Sequence, residues 1–263
     1  MLTPKEGEEF PYWLVILGVT GLWMFYQVWT SAIYSQVMAS LIKGVQVTVV
    51  VTLVAYALAC IFGLALAVAG LSKYRVLRQA SRLWIEVIRG VPIMVLLLYV
   101  AFVLSPALVY AWNWVGGWLG ADPVRSRDFP FIARAVMALT LAYSAFLAEI
   151  FRAGLQAVDK GQVEAAMSLG LSGWHRFRFV VFPQAFRLIL PPLGNDFVAM
   201  VKDSSLVSIL GVADITQLGK VLAAGNFRYF ETYNMVALLY LVMTIGLSLG
   251  LRRVERRLRV KDK

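Results

Sequence analysis

Four long stretches of this sequence contain no Asp, Glu, Lys or Arg: residues 10–42, 44–72, 90–121 and 232–251. An α-helix rises about 1.5 Å per residue, so about 20 apolar residues cross the roughly 30 Å hydrocarbon core of a bilayer. Each stretch is long enough to do so, and a helix that is apolar all round has no face to present to water. The pattern predicts an all-α integral membrane protein.

Composition supports this assignment and excludes several functions. Hydrophobic residues make up 60% of the chain and charged residues 15%, against about 45–50% and about 25% in soluble domains. The net charge of +10 lies in the gaps between the apolar stretches, which favours phospholipid over nucleic acid as the acidic partner. With Cys60 and His175 the only residues of their types, we expect no disulfide, no metal site and no conventional Ser-His-Asp site.

Six membrane spans are predicted, at residues 11–29, 36–72, 92–112, 131–151, 186–210 and 232–251. The third begins after Pro92, because a missing N–H costs least at a helix start. We divide the chain into an N-terminal tail with an additional span at residues 1–35, a main transmembrane domain at residues 36–251, and a basic tail at residues 252–263.

The distribution of basic residues predicts the orientation of the spans. Residues 73–89, 149–187 and 252–263 together hold 17 of the 25 Lys and Arg. Loops rich in Lys and Arg stay in the cytoplasm. Six spans then place both termini in the cytoplasm as well.

The cytoplasmic segment at residues 154–183 has a helical pattern of its own. Val163, Ala166 and Leu169 share one face at helical spacing, and Gly170 followed by Ser172 is typical of a helix end before a second short helix. We therefore expect a helix–turn–helix at the membrane surface. From the residues alone, an interfacial helix pair with snorkelling arginines fits as well.

This segment resembles the EAA loop of the membrane subunits of bacterial ATP-binding-cassette (ABC) importers. The family pattern is Glu-Ala-Ala, three residues, Gly, nine residues, Ile, one residue and Leu-Pro. The matching residues here are Glu164, Ala165, Ala166, Gly170, Val180, Phe182 and Pro183. The spacing is kept throughout, and Val180 for Ile and Phe182 for Leu exchange one apolar side chain for another.

Flanking segments look like those of the permeases that take up polar amino acids: residues 86–92, 148–154, 160–162, 183–187, 191–195 and 202–206. The resemblance covers about residues 36–251. It implies the five-helix core of a type I importer permease, to which residues 1–35 add one transmembrane helix. It further implies an ATPase-coupling surface formed by Glu164, Ala165, Ala166, Gly170, Leu171 and Trp174.

The resemblance also implies partners and a location. These are two ABC ATPase subunits, a second permease that is identical or related, and a periplasmic or lipid-anchored solute-binding protein that delivers a polar or charged amino acid, all at the bacterial inner membrane. ATP and Mg²⁺ would bind to the ATPase subunits, and no cofactor to this chain. The sequence agrees, because its nearest approach to a P-loop, Gly219-Lys220, lacks the upstream Gly and the following Ser or Thr.

Charged residues inside the fifth span are candidates for the substrate pathway, because ionisable groups at membrane depth usually face a bundle interior or water. We expect Asp196 to face the pathway and Lys202 to form a structural ion pair with Asp203 or with a neighbouring span. Pro191-Pro192 and Gly194 are expected to interrupt the helix and free backbone groups. The further pathway candidates are Asn195, Glu86, Arg89, Glu149 and Arg152, although charges at span ends also snorkel or form local ion pairs.

Two other classes of protein would place charges in the fifth span. An ion-coupled secondary amino-acid carrier explains Asp196 and Lys202 but leaves the 154–183 loop without a purpose. An intramembrane enzyme would pair Lys202 with Ser204 or Ser205 as base and nucleophile, and rests only on their proximity in sequence. The leading prediction is a translocation subunit that is not itself an enzyme.

Overall fold

The computed structural model describes residues 12–258, except the side chains at positions 13, 14, 257 and 258. Within this range the chain forms helices and no strand. The α-helices are α1 (Tyr12–Thr30), α2 (Ala32–Gly70), α3 (Arg75–Gly90), α4 (Ile93–Tyr99), α5 (Ser105–Trp118), α6 (Phe131–Gln156), α7 (Lys160–Ser168), α8 (Gly173–Arg176), α9 (Phe182–Asp203), α10 (Ile215–Asn226) and α11 (Tyr229–Leu258). Two π-helical segments (Val100–Leu104 and Phe177–Val181) and two 3₁₀ segments (Ser126–Asp128 and Ser204–Leu210) connect some of them.

Four stretches of helix are long and apolar enough to cross a membrane: α2, Ile93–Trp118, α6 and α11. The stretch Gly173–Leu210 and helix α10 form a fifth candidate, bent by 49° between them. The apolar part of α1, Val15–Thr30, is shorter. The predicted all-α membrane fold with five main spans is therefore confirmed, and α1 packs against α2 as an additional helix.

Helix α6 lies at the centre of the bundle, packed on α2, α3 and α9. Small residues line the contact between α2 and α6. A Cβ added at Gly63 would lie 3.0 Å from the Leu147 side chain and from the Ser144 carbonyl oxygen. Small side chains let membrane helices approach closely and so strengthen their van der Waals contact.

A second apolar cluster joins α1, α2, α10 and α11 through residues such as Met24, Leu41, Ile215 and Met235. Its tightest point is Gly44 on α2. A Cβ there would lie 2.6 Å from the backbone nitrogen of Ile215. Only glycine allows α2 to meet the start of α10 at this distance.

Helix α2 begins at Ala32 and α6 continues to Gln156, a few residues beyond the predicted bounds, and three larger differences remain. The third span reaches Trp118 rather than residue 112, because the π-helical segment Val100–Leu104 continues the helix into α5. The sixth span continues as helix to Leu258, into the basic tail. Residues 1–11 and 259–263 lie outside the described part of the chain.

The third difference concerns the predicted interruption at Pro191-Pro192. Both prolines lie inside the continuous helix α9, so the prediction was wrong. Proline is tolerated in a membrane helix where neighbouring helices support it, and α9 packs against α6 and α11. The span changes direction later, through the 3₁₀ segment and Gly211, whose φ is +76°.

Candidate functional site

Local caps fix both ends of α7, the first helix of the 154–183 loop. The Asp159 side chain precedes α7 and accepts a hydrogen bond from the Gln162 backbone N–H at 3.1 Å. Gly170 follows the helix in the left-handed conformation, with φ of +75°. In this turn the Leu171 N–H donates to the Ala166 carbonyl oxygen at 3.1 Å. A left-handed residue after a helix is most often glycine, since a Cβ would be strained there.

A second cap begins α8. Ser172 accepts a hydrogen bond from the backbone N–H of His175 at 3.4 Å, and its Oγ lies 2.7 Å from His175 Nδ1. The predicted helix–turn–helix is thus present. The only histidine of the chain contacts the residue that caps α8.

The surface of this loop is apolar and exposed. Ala166 is buried, while Glu164 and Ala165 are exposed. Leu169 lies beyond the end of α7 and is 81% exposed, rather than sharing a buried face with Ala166. Further exposed apolar side chains are Met167, Trp174, Phe177 and Phe179. A large exposed apolar patch marks a surface that contacts another protein or the membrane.

The loop is firmly attached to two membrane helices. Gly154 at the end of α6 faces Ile189 of α9 so closely that an added Cβ would lie 2.2 Å from Ile189 Cγ1. Gln184 of α9 donates a side-chain hydrogen bond to Gln162 of α7 at 2.7 Å. Helix α7 thus contacts α9 directly, and α9 in turn is packed closely on the end of α6.

Polar side chains also meet in the middle of the bundle. The Tyr143 hydroxyl on α6 donates a hydrogen bond to Asp203 Oδ2 at 2.8 Å. The Tyr56 hydroxyl on α2 donates to the Leu193 carbonyl oxygen at 2.6 Å, and its ring packs edge-on against Phe197 at 5.0 Å.

Asp196 lies in this region and is half-buried. It lies between Leu193, whose carbonyl oxygen accepts from Tyr56, and Phe197, which packs against the Tyr56 ring. Within residues 12–258 it has no hydrogen-bond or ion-pair partner. The neighbouring Asn195 is exposed. A half-buried carboxylate with free oxygens is able to accept hydrogen bonds from a ligand or water.

The prediction that Lys202 forms an ion pair with Asp203 or with a neighbouring span is wrong for the described residues. Asp203 accepts from Tyr143 instead, and in the described part of the chain the single ion pair joins Arg152 to Glu149. Consecutive residues of a helix point about 100° apart. Lys202 is consequently exposed on a different face from Asp203.

The remaining charged candidates gather at the other end of α6. Arg152 Nη2 lies 2.5 Å from Glu149 Oε2, and Nη1 donates to Gln156 at 2.8 Å. A polar cavity of about 370 Å³ lies here between α2, α3 and α6, and its lining includes Glu86, Arg89, Glu149 and Arg152. Two pairs of candidates from different helices thus share one cavity, and Asp196 is not among its lining residues.

Sequence reasoning missed two buried charged residues, Arg134 and Asp214, which hydrogen-bond separate elements of the fold together. Arg134 donates hydrogen bonds to the carbonyl oxygens of Ala101, Phe129 and Ser126, so that it ties α6 to the π-helical segment and to the loop before α6. Its position inside a predicted span was the available signal, because a charge there needs a partner.

The second missed residue is Asp214, which is fully buried. It precedes α10 and accepts hydrogen bonds from the backbone N–H of Gln217 at 2.8 Å and from the Tyr240 hydroxyl at 3.0 Å. An acidic residue directly before an apolar helix was the available signal for this cap. In the described range, no group of three or more His, Cys, Asp or Glu is placed to hold a metal ion.

Comparison with known proteins identifies the family and the fold. Residues 59–260 match the family described as "Binding-protein-dependent transport system inner membrane component". The chain is 37% identical over 220 residues to the glutamine transport system permease protein GlnP of Escherichia coli K12, covering 84% of this chain and 93% of that one. It is 39% identical over 210 residues to the probable amino-acid permease protein YxeN of Bacillus subtilis, covering 80% and 87%.

Solved structures are similar along most of the chain. A crystal structure of an amino acid ABC transporter with histidines has a TM-score of 0.69 at 36% identity, covering 83% of this chain and 94% of that one. The MetNI methionine ABC transporter has the same fold, with a TM-score of 0.65 at 19% identity and coverage of 85% and 98%. The predicted type I importer fold is therefore confirmed. This chain belongs to the inner membrane components of binding-protein-dependent transport systems, the permease subunits of ABC importers that carry no ATPase site of their own.

Proposed function

We propose that this permease forms half of a translocation pathway for a polar or charged amino acid. The second half is another permease subunit, identical or related. A periplasmic or lipid-anchored solute-binding protein delivers the amino acid, and two ATPase subunits bind ATP and Mg²⁺ and drive the cycle. The names of the relatives support the substrate class, since they include glutamine and other amino-acid permeases. Nothing in the comparisons supports the ion-coupled carrier.

The exposed helical hairpin of α7 and α8 carries this proposal. It presents Leu169 and Trp174 to a partner while its caps and its contacts with α9 hold it in place. We assign the ATPase-coupling contact to the residues predicted from the sequence, namely Glu164, Ala165, Ala166, Gly170, Leu171 and Trp174. Buried Ala166 supports the exposed members of this set rather than touching the partner.

The distribution of basic residues supports the orientation. The proposed cytoplasmic surface consists of α3, the α7–α8 hairpin and the end of α11, together with both termini. The chain would then cross the bacterial inner membrane with the loops that carry few Lys and Arg on the outer side. Residues 1–35, including α1, form an addition to the domain at residues 36–251, and the basic tail follows from residue 252.

For the substrate pathway we propose two binding sites. Asp196, beside Tyr56 and Tyr143, offers a carboxylate in the middle of the bundle to the ammonium group of the amino acid, with Asn195 as its neighbour. A charge transferred into a low-dielectric region needs an opposite charge or oriented dipoles. The second binding site is the polar cavity at the cytoplasmic end of the pathway, whose lining includes Glu86, Arg89, Glu149 and Arg152.

Uptake by the reconstituted complex tests this function. The complex of this chain with its ATPase and second permease subunits is reconstituted in proteoliposomes, and the binding protein and labelled amino acid are added outside. Complexes whose ATPase subunits face the lumen should accumulate the amino acid only when the lumen contains ATP. The control omits the binding protein and should show no uptake. Uptake driven by a proton gradient without ATP would contradict the proposal and favour an ion-coupled carrier.

A further inference from the structure

Helix α3 has three distinct faces. Ser81, Ile85 and Ile88 are buried against the bundle. One flank exposes the apolar side chains of Val76, Leu77, Leu83, Trp84 and Val87. The opposite flank and the preceding turn carry Lys73, Arg75, Arg78, Arg82 and Arg89. A helix with one apolar and one basic flank is typical of the membrane interface, where it lies along the surface.

An apolar groove of about 540 Å³ lies where α3 meets the end of α2. Its lining consists of Ile61, Leu64, Ala65, Val68, Ala69, Ser72 and Leu77. Only Ser72 is polar, and Ile61 and Val68 are 66% and 58% exposed. The stretch at residues 44–72 is free of charge, so the groove belongs to the part of α2 that faces hydrocarbon.

Ser72 joins this groove to a cationic rim, which we define as Lys73, Arg75 and Arg78. Arg78 Nη1 donates a hydrogen bond to the Ser72 carbonyl oxygen at 2.9 Å. A guanidinium group has five N–H donors, so Arg78 keeps four for a ligand. Lys73 and Arg75 are exposed, and the sequence has no Asp or Glu between residues 44 and 85 to neutralise the rim.

We propose that the groove and the cationic rim bind one anionic phospholipid. An acyl chain occupies the groove between α2 and α3, and the phosphate accepts hydrogen bonds from Arg78 and Lys73. Charge complementarity identifies this occupant. The choline of a zwitterionic lipid would bring a fourth cation to the rim, and an apolar protein helix would leave the rim without counterions. The site depends on α3 lying in the interface and not on which substrate is transported.

Lipid retention tests the charged part of the site. The purified transporter complex is placed in nanodiscs of equal parts phosphatidylglycerol and phosphatidylcholine, and lipids that stay bound after transfer to detergent are counted by native mass spectrometry. The unmodified complex should retain phosphatidylglycerol selectively. The double variant Lys73→Gln/Arg78→Gln should lower its relative affinity at least about tenfold, because each basic residue at an anionic surface contributes separately.

Two matched variants separate this site from general charge effects. Arg252→Gln/Arg253→Gln removes the same charge from an exposed part of α11 and should leave retention unchanged. The charge-conserving Lys73→Arg/Arg78→Lys should retain the lipid, which shows that the altered positions fold. Equal retention of both lipids, or an equal loss in the two Gln double variants, would overturn the proposal.

The groove itself has its own test. Val68→Trp fills it and should reduce phosphatidylglycerol retention with the cationic rim intact, whereas Ile42→Trp, at an exposed site elsewhere on α2, should not. In the assembled complex, Val68→Cys should be open to a lipid-soluble thiol reagent. Protection of this cysteine, or its crosslinking to another subunit, would overturn the proposal by placing protein in the groove.

Discussion

Tyr143, in the middle of α6, donates a hydrogen bond from its hydroxyl to Oδ2 of Asp203, the last residue of α9, at 2.8 Å. The two residues are 60 positions apart, and Tyr143 is only 3% exposed. The bond therefore joins the central helix of the bundle to the point where the fifth span changes from α-helix to 3₁₀ helix.

Tyr143→Phe should destabilise the complex measurably. It removes one donor from a partly buried carboxylate, and a hydrogen bond to a charged group contributes about 1.5–3 kcal/mol. We expect a lower midpoint in a thermal unfolding experiment on the purified complex. Tyr110→Phe, at an exposed tyrosine, is the control and should leave the midpoint unchanged. Equal midpoints for both variants would show that the Asp203 contact contributes nothing.

Asp196→Asn should reduce transport or shift its substrate preference without reducing the amount of assembled complex. The amide keeps the volume of the carboxylate but loses the charge that an ammonium group would meet. ATP-driven uptake of a panel of labelled amino acids, normalised to assembled complex, measures this. Lys202→Ala serves as the comparison and should change neither quantity strongly, because Lys202 is exposed and unpaired in the described structure. Unchanged uptake by Asp196→Asn would move the substrate contact to the cavity at Glu86 and Glu149.

Trp174→Ala should weaken binding of the ATPase subunit. Trp174 is 65% exposed in the hairpin of α7 and α8, and a central aromatic residue of a protein interface often contributes about 2 kcal/mol or more, close to a thirtyfold change in affinity. The measurement is the affinity of the purified permease for the ATPase subunit, determined by titration. The control is Leu119→Ala. Leu119 is 80% exposed and follows α5, on the proposed outer side of the membrane, so this variant should bind the ATPase subunit normally. Equal affinities would argue that the hairpin is only an interfacial structure.

Gly170→Asp and Glu164→Lys should abolish ATP-driven uptake while the chain still inserts in the membrane. Gly170 has φ of +75°, so a side chain there strains the turn that orients α8. Gly173→Ala, at a helical position with open space around it, should transport normally. Full uptake by the Gly170 and Glu164 variants would remove the proposed coupling role.

Gly44→Ala should lower the stability of the chain by about 1–3 kcal/mol, the usual cost of overpacking. The added carbon would lie 2.6 Å from the backbone nitrogen of Ile215, which no side-chain movement relieves. Thermal unfolding is again the measurement. Gly246→Ala adds the same carbon in open space on α11 and should cost little. Similar losses for both variants would point to helix flexibility rather than packing.

Labelling of single cysteines tests the orientation. In a chain with Cys60 replaced by serine, Arg178→Cys should react with an impermeant reagent only from the cytoplasmic side, because its loop carries an excess of basic residues. Asp122→Cys, in the opposite loop, should react only from outside. The reverse result would overturn the six-span topology.

Much of the fold could be predicted because it depends on local composition and spacing. Charge-free runs long enough for a bilayer predict spans irrespective of their neighbours, and the spacing from Glu164 to Pro183 matches the EAA loop of the family. The turn between α7 and α8 follows in the same way, since a left-handed Gly170 and the capping residues Asp159 and Ser172 act within a few positions. These are properties of short segments, and a sequence contains them directly.

Only the tertiary structure decided the contacts between segments. The sequence predicted an interruption at Pro191-Pro192, yet packing against α6 and α11 keeps α9 continuous. It predicted that Lys202 pairs with Asp203 or with a neighbouring span, whereas the Asp203 carboxylate accepts a hydrogen bond from Tyr143 on another helix. Burial makes an unpaired polar group costly, so such a group takes whichever partner the neighbouring helix presents. That partner depends on how helices pack across the bundle, which local sequence patterns do not contain.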